Sequence, residues 1–316
     1  MKDKGSIQLL VLIILVSLVV GAVLFQNRHK LISASQPVVI KTEIASPSAT
    51  IAPTIIITPT LIPTILPTIA PTAKPVSQGV SGPPGVGFTS MNVSTEKGNF
   101  QASILMIDLN GTKIVTDTGN DSDCTDSCST LTLQDFVNRN GGFAGVNGSY
   151  FCPDSYPECG GKKNSFDFPV YNSRLSKWIN QGNLFWDNRS MVYFDGTGAH
   201  YLQNAKDFNG GLTAGITNYP GLLNGGSVQI DDNQSGLSDK QKTKGTKVGI
   251  GVSGNRNVMV VIAQNVNMQE FAHVFKSLGA QGALNLDTGG STALYYNGRY
   301  IAGPGRNLPN AIIFTR

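Results

Sequence analysis

The run "IAPTIIITPTLIPTILPTIAPTAKP", residues 51–75, constrains this chain more than any other feature. Proline recurs at Pro53, Pro59, Pro63, Pro67 and Pro71, each time followed by threonine. Proline fixes φ and removes a backbone donor, so neither a helix nor a central strand can pass through the run. An extended polyproline-II spacer, rising ~3.1 Å per residue, is expected within a linker over residues 31–86. Threonine with proline also suits an O-glycosylated stalk. The segments on either side must therefore be read separately.

Ahead of the linker, Ile7 to Phe25 contains no charged residue and is dominated by Leu, Val and Ile. As a helix it would be roughly 28 Å long, enough to cross a bilayer. A cleaved signal peptide is the alternative. Such a peptide has a shorter apolar region, closely followed by a small-x-small site. Here "QNRHK" comes first, and the best site is "SAS" at Ser33–Ser35. Residues 1–30 are expected to be a transmembrane anchor with its flanks. Lys2 and Lys4 before the span and Arg28 and Lys30 after it do not set its orientation.

Orientation is read from the cysteines instead. Cys124, Cys128, Cys152 and Cys159 all lie in one short region beyond the linker. An even number outside the membrane suggests disulfides, and local pairing, Cys124–Cys128 and Cys152–Cys159, is the preferred connectivity. A zinc cluster would favour C-x-x-C spacing, which is absent. The expected localisation is the cell membrane, single-pass, with an extracytoplasmic C-terminal domain.

Residues 87–316 are long enough for one well-cored domain. Of 24 Lys plus Arg and 20 Asp plus Glu, 6 and 2 precede residue 87, which leaves 18 of each in the domain. A neutral domain has no electrostatic footprint for polyanions, so nucleic acid is not expected as a partner. Short apolar runs read as strands: "FQASILMIDL", "FAGVNGSYF", "SMVYF", "TKVGIGV", "NVMVVIA", "GALNLD", "TALYYNGRYI" and "NAIIFTR". Hairpins are expected at Gly254–Asn257 and at Asn297-Gly298. Helices are expected in "TLQDFVNRNGG", capped by Thr132, and in "NMQEFAHVFKSLGA", capped by Asn267 with Glu270 and stopped by Gly279. The fold class is α+β: a single domain of mixed or antiparallel sheet with few helices.

Three loops carry candidate chemistry. "ALNLDTGGS" ends a strand on Asp287, then exposes backbone at Gly289 and Gly290 beside Ser291, a loop that can hold a phosphate or a sugar. "GGFAGVNGSYF" places Asn147 before Tyr150, an amide and an aromatic ring suited to a sugar. "GPGRNLPNAIIF" places Arg306 before the last strand, and a guanidinium fork suits phosphate. A second Asp-Thr-Gly at Asp117 raises an aspartic-protease reading, which needs two facing carboxylates. Its setting, "KIVTDTGNDSDC", reads as a polar surface loop.

Together these motifs resemble the phosphodiester glycosidase family. The family's "NGGYF" resembles "NGSYF" at Asn147–Phe151, and its "C-x-G-x-x-x-S-D" resembles "CGGKKNSFD", which has one residue extra and ends at Asp167. "LNGG" with Asn224, then "GTKVGIG" over residues 245–251, is similar to its "NG" and "R-T-A-I-G". "ALNLDTGGS" resembles its "A-L-N-L-D-G-G-G-S", and "RNLPNAI" its closing "R-x-V-x-N-A-I". Thr288 and Gly245 depart from the pattern: the first replaces a glycine, the second an arginine.

The resemblance implies hydrolysis of a sugar-1-phosphodiester. Asp287 would activate water or stabilise oxocarbenium-like charge, and Arg306 would hold the phosphate with help from Lys247. Asp167 would be a second carboxylate. Asn147, Tyr150, Asn224, Asn285, Gly289, Gly290 and Ser291 would bind substrate. The expected partners are a carbohydrate or phosphosugar substrate and, through residues 7–25, the membrane. No cofactor is expected, and no spaced loop of Ca²⁺ ligands is visible, although a divalent cation stays open. A glycan-binding module that has lost the chemistry is the non-enzymatic alternative, and an aspartic protease is the third.

Overall fold

The computed structural model describes residues 83–184, 189–233, 236–254 and 256–316. The expected anchor and most of the expected linker lie outside these residues. Among the described residues, no helix is long and apolar enough to cross a membrane.

The described strands form three sheets, and every paired neighbour is antiparallel. The first has the spatial order Gly87–Thr95, Gly98–Asp108, Asn257–Val266, Gly245–Val252, Gly282–Asn285, Gly221–Asn224 and Ser227–Val228. The second runs Arg299–Ala302, Leu294–Tyr296, Gly142–Asn147, Asn310–Thr315, Lys113–Thr118. The third runs Lys177–Ile179, Val170–Asn172, Ala214–Asn218, Ser190–Asp195, Gly198–Leu202. Among the described residues the α-helices are α1 (Leu133–Arg139), α2 (Asp239–Lys242) and α3 (Met268–Ser277).

Side-chain alternation explains the layering. In the strand Asn257–Val266, Val258, Val260 and Ile262 face a core shared by the three sheets, while Met259, Val261 and Ala263 face α3. Both faces are buried, so the strand reads as a continuous apolar run. Its neighbour alternates differently: Val248, Ile250 and Val252 enter the shared core, and Gly249 and Gly251 lie under α3. A Cβ at Gly251 would sit 2.8 Å from the Phe275 ring, so glycine lets the helix approach the sheet closely. The α3 cap is as expected: Asn267 and Glu270 form a reciprocal capping box, and Gly279 follows with φ +82. Helix α1, capped by Thr132, packs Leu133, Phe136 and Val137 on the outer face of the second sheet.

The Asn297-Gly298 turn has φ +47 and +85 and joins Leu294–Tyr296 to Arg299–Ala302. The strands either side of Gly254 pair as expected, although Asn255 is outside the described residues. Sequence patterning missed several strands, including Lys113–Thr118 and Ala214–Asn218, and the short helix α2.

Candidate active site

The ends of strands from all three sheets converge around Asp287, and strand ends leave backbone polar groups without ladder partners. Fully buried asparagines satisfy them. Asn147 Nδ2 donates to the Asp287 carbonyl at 2.7 Å, and its Oδ1 accepts from the Ala293 N–H at 3.0 Å. Asn218 Oδ1 accepts from the Tyr150 N–H at 3.1 Å, and its Nδ2 donates to the Asn285 carbonyl at 2.8 Å. Asn310 Oδ1 accepts from the Ser149 N–H at 2.8 Å. The Asp287 N–H itself donates to the Gly148 carbonyl at 2.9 Å. The Asp287 loop is thereby fixed to the end of the strand Gly142–Asn147.

A cleft of about 290 Å³ opens over this junction. Asp287, Thr288, Ser291, Tyr150, Tyr156 and Arg306 line it together with Ser238, Lys240 and Gln241 at α2. The Asp287 side chain is buried, which pushes its carboxyl up to about 7. A hydrogen bond from Ser291, one from the Thr288 N–H at 2.9 Å and the Arg306 charge only partly offset that burial. Tyr150 Oη accepts from Asn285 Nδ2 at 2.7 Å and from Gln241 Nε2 at 3.4 Å. Burial pushes this phenol up to about 12, so it keeps its proton at neutral pH.

Arg306 reaches the cleft from the loop before the last strand. Its N–H donates to the Gly290 carbonyl at 3.0 Å, its Nη2 donates to Tyr156 Oη at 3.3 Å, and its Cζ lies 4.9 Å from the Tyr156 ring centroid. Lys240 Nζ lies 4.9 Å from the same centroid. Both disulfides pair locally as expected, with Cα separations of 5.8 Å for Cys124–Cys128 and 5.4 Å for Cys152–Cys159. These bonds replace the zinc reading. The second closes the loop that carries Tyr156. The first is tied to the segment just after that loop: the Cys128 N–H donates to the Lys163 carbonyl, and the Lys163 N–H to Asp126.

Replacing Cys152 and Cys159 together with serine should cost about 2–3 kcal/mol by loop-closure entropy. It should also raise KM, because Tyr156 loses its tether. Urea unfolding and steady-state kinetics check both effects, and an unchanged KM would remove the disulfide from the site's support.

Several expected site residues are placed elsewhere. Asn147 is fully buried and spends both ends of its amide on backbone, so it holds the loop and does not face the cleft. Asn285 is likewise buried and supports Tyr150 from behind. Asn224 is exposed at the hairpin with Ser227–Val228, away from the cleft lining. Lys247 is buried, and its ammonium donates to the Lys240 and Thr243 carbonyls at 3.0 Å each, fixing the end of α2. Burial holds its pKa below the usual lysine value. Lys244, beside the Gly245 departure, pairs with Glu270 at 2.6 Å.

Asp167 is exposed and outside the lining, because Phe166 and Val170 on either side turn into the shared core. Gly289 adopts φ +69 on the exposed side of the loop, and Gly290 backs the Arg306 guanidinium. Lys240, Gln241 and Tyr156 were missed. For α2 a signal existed: Ser238-x-x-Gln241 is a capping-box spacing, and the box is formed.

Asp117 is not in a surface loop. It is fully buried and accepts from Arg139 at 2.6 and 3.0 Å, from Asn140 at 2.8 Å and from Asn172 at 3.1 Å. It does not line the cleft, and Asp287 is the only carboxylate among the described lining residues. A protease dyad therefore has no second member. Asp117→Asn should cost about 2 kcal/mol or more by leaving Arg139 without its anion. Cleft chemistry measured well below the melting temperature should be unaffected. A thermal melt beside an activity assay separates the two effects.

A buried carboxyl that shares an open cleft with two cations is a site suited to hydrolysis. The chain belongs to the phosphodiester glycosidase family, whose model matches residues 140–315. A comparison with curated proteins found no match in sequence. Among solved structures, the chain is similar to the zebrafish N-acetylglucosamine-1-phosphodiester α-N-acetylglucosaminidase catalytic domain, auto-inhibited by its pro-peptide. The TM-score is 0.56 and the identity 14%, over 75% of this chain and 87% of that one. It is also similar to a hypothetical protein from Synechocystis, with TM-score 0.51 and 15% identity over 73% of this chain. The match spans 62% of the cyanobacterial chain. At these identities the likeness concerns the fold.

Proposed function

We propose that the protein hydrolyses a sugar-1-phosphodiester at the bond between C1 and the phosphate oxygen. The observation that carries this reading is the convergence of Asp287 and Arg306 on one cleft. A phosphate monoester leaves readily, so the cleft needs no strong general acid, and a single carboxylate suffices. In its ionised form Asp287 takes a proton from the attacking water and stabilises positive charge on the sugar ring. Arg306 receives the departing phosphate. The Tyr150 O–H, whose oxygen accepts from Asn285 and Gln241, orients a sugar hydroxyl. The zebrafish relative is named for a substrate of this class, an N-acetylglucosamine-1-phosphodiester.

The domain works outside the cytoplasm, held at the cell membrane by the apolar segment 7–25 and spaced from it by the Pro/Thr run. The two disulfides support that compartment.

Hydrolysis of a synthetic sugar-1-phosphodiester in ¹⁸O-labelled water tests the chemistry. The label is expected in the sugar hydroxyl. Label in the phosphate would place the cleavage at the P–O bond and overturn the reading. Binding without turnover would favour a glycan-binding module.

A further inference from the structure

The expected helper cation, Lys247, is committed to the carbonyls of Lys240 and Thr243. The family's arginine position holds Gly245, and Lys244 is paired with Glu270. The cleft nevertheless contains a second cation. Lys240, on α2, brings its ammonium to the Tyr156 ring that Arg306 also contacts, each 4.9 Å from the centroid. Its position is built rather than incidental. The Ser238–Gln241 capping box starts the short helix, Lys247 clamps the Lys240 carbonyl, and Gln241 ties the helix to Tyr150.

The reaction changes the charge at this spot. As the C1–O bond breaks, its electron pair stays on the phosphate oxygen. Water oxygen forms the new bond to C1, and a water proton passes to Asp287. A diester phosphate carries one negative charge, whereas a monoester carries close to two at neutral pH, its second pKa being about 6. One guanidinium matches the substrate, and the added charge calls for a second cation.

We propose that Lys240 and Arg306 form a two-cation site selective for the phosphate monoester dianion, with Lys240 acting on the charge that appears during bond cleavage. The proposal rests on the phosphodiester reading of the cleft. An interaction made mainly with the developing charge raises kcat rather than lowering KM. The same site retains the monoester product, so product inhibition follows.

Methyl phosphate and dimethyl phosphate, titrated by NMR or calorimetry at pH 8, test the site without relying on turnover. The wild type should bind the monoester more tightly than the diester. Lys240→Ala should weaken methyl phosphate about ten-fold, as expected for losing one charge-assisted contact, and dimethyl phosphate less than about two-fold. Lys240→Arg should restore the preference. Lys240 is exposed, so these variants are expected to fold. In turnover, Lys240→Ala should lower kcat with KM nearly unchanged. Equal weakening of both ligands, no weakening, or no phosphate binding by the wild type would each overturn the proposal. A monoester preference without hydrolysis would remove the enzymatic reading and leave the anion site. Hydrolysis indifferent to Lys240 would do the reverse.

Discussion

Asp287→Asn should lower kcat/KM about 10²–10⁴-fold, the range for removing a positioned acid–base group. It should at the same time make the protein more stable above neutral pH. Both effects follow from burial. An unfolded aspartate ionises near 3.8, whereas the buried carboxyl holds its proton up to about 7. Between those values the folded state binds more protons than the unfolded one, so stability falls as pH rises. The contribution of the neutral acid is complete below pH 4 and lost above pH 7. Asparagine is never charged and escapes this loss. The variant should gain roughly 2–4 kcal/mol over wild type at pH 8 and little at pH 4. Thermal melts at the two pH values check the sign. The kcat/KM of the wild type should rise with pH towards a plateau above about 7, as the ionised base accumulates. Full activity in Asp287→Asn would sink the assigned role, and equal stability changes at both pH values would sink the burial argument.

Gly290→Ala should lower kcat/KM about 10²-fold, the cost of a catalytic group displaced by an ångström or so, with almost no change in stability. A Cβ at Gly290 would lie 2.4 Å from Arg306 Nη2 and 3.2 Å from its Cζ and Nε. These atoms are the end of a long side chain, so the clash is relieved by moving the guanidinium and not by disrupting packing. The backbone at Gly290 is also not in the positive-φ region, so alanine adds no conformational strain. The substitution therefore displaces Arg306 selectively. The decisive comparison is a double-mutant cycle. In an Arg306→Ala background, Gly290→Ala should have no further effect, because nothing remains to displace. An additive loss would show that Gly290 acts on substrate directly, and a cooperative unfolding defect would show that its small size serves packing.

Much of the fold was legible along the chain, because alternation and capping are local. The run "NVMVVIA" identified a strand, Asn267 and Glu270 the start of α3, and Asn297-Gly298 a hairpin turn. The disulfides were legible for the same reason, since each pair encloses a short loop. Short strands such as Lys113–Thr118 and Ala214–Asn218 were missed because their partners, not their own patterns, make them strands.

The site divides differently. The chain alone determined which residue types are available: one aspartate after an apolar strand, an arginine in a Gly/Pro loop, and a tyrosine after Asn-Gly. The tertiary structure decided which of them face the cleft. Asn147 is drawn inward because converging strand ends leave backbone groups that must be satisfied, and Asn285 because its amide donates to the buried Tyr150 hydroxyl. Lys247 is drawn under α2 by two free carbonyls, and Lys240 is thereby presented in its place. Asp117, which copies the Asp287 motif, is neutralised by Arg139 in a separate buried network. A motif specifies a side chain's chemistry, but its direction depends on strand parity and on whichever unpaired polar group lies nearest, and both are set only when the sheets pack.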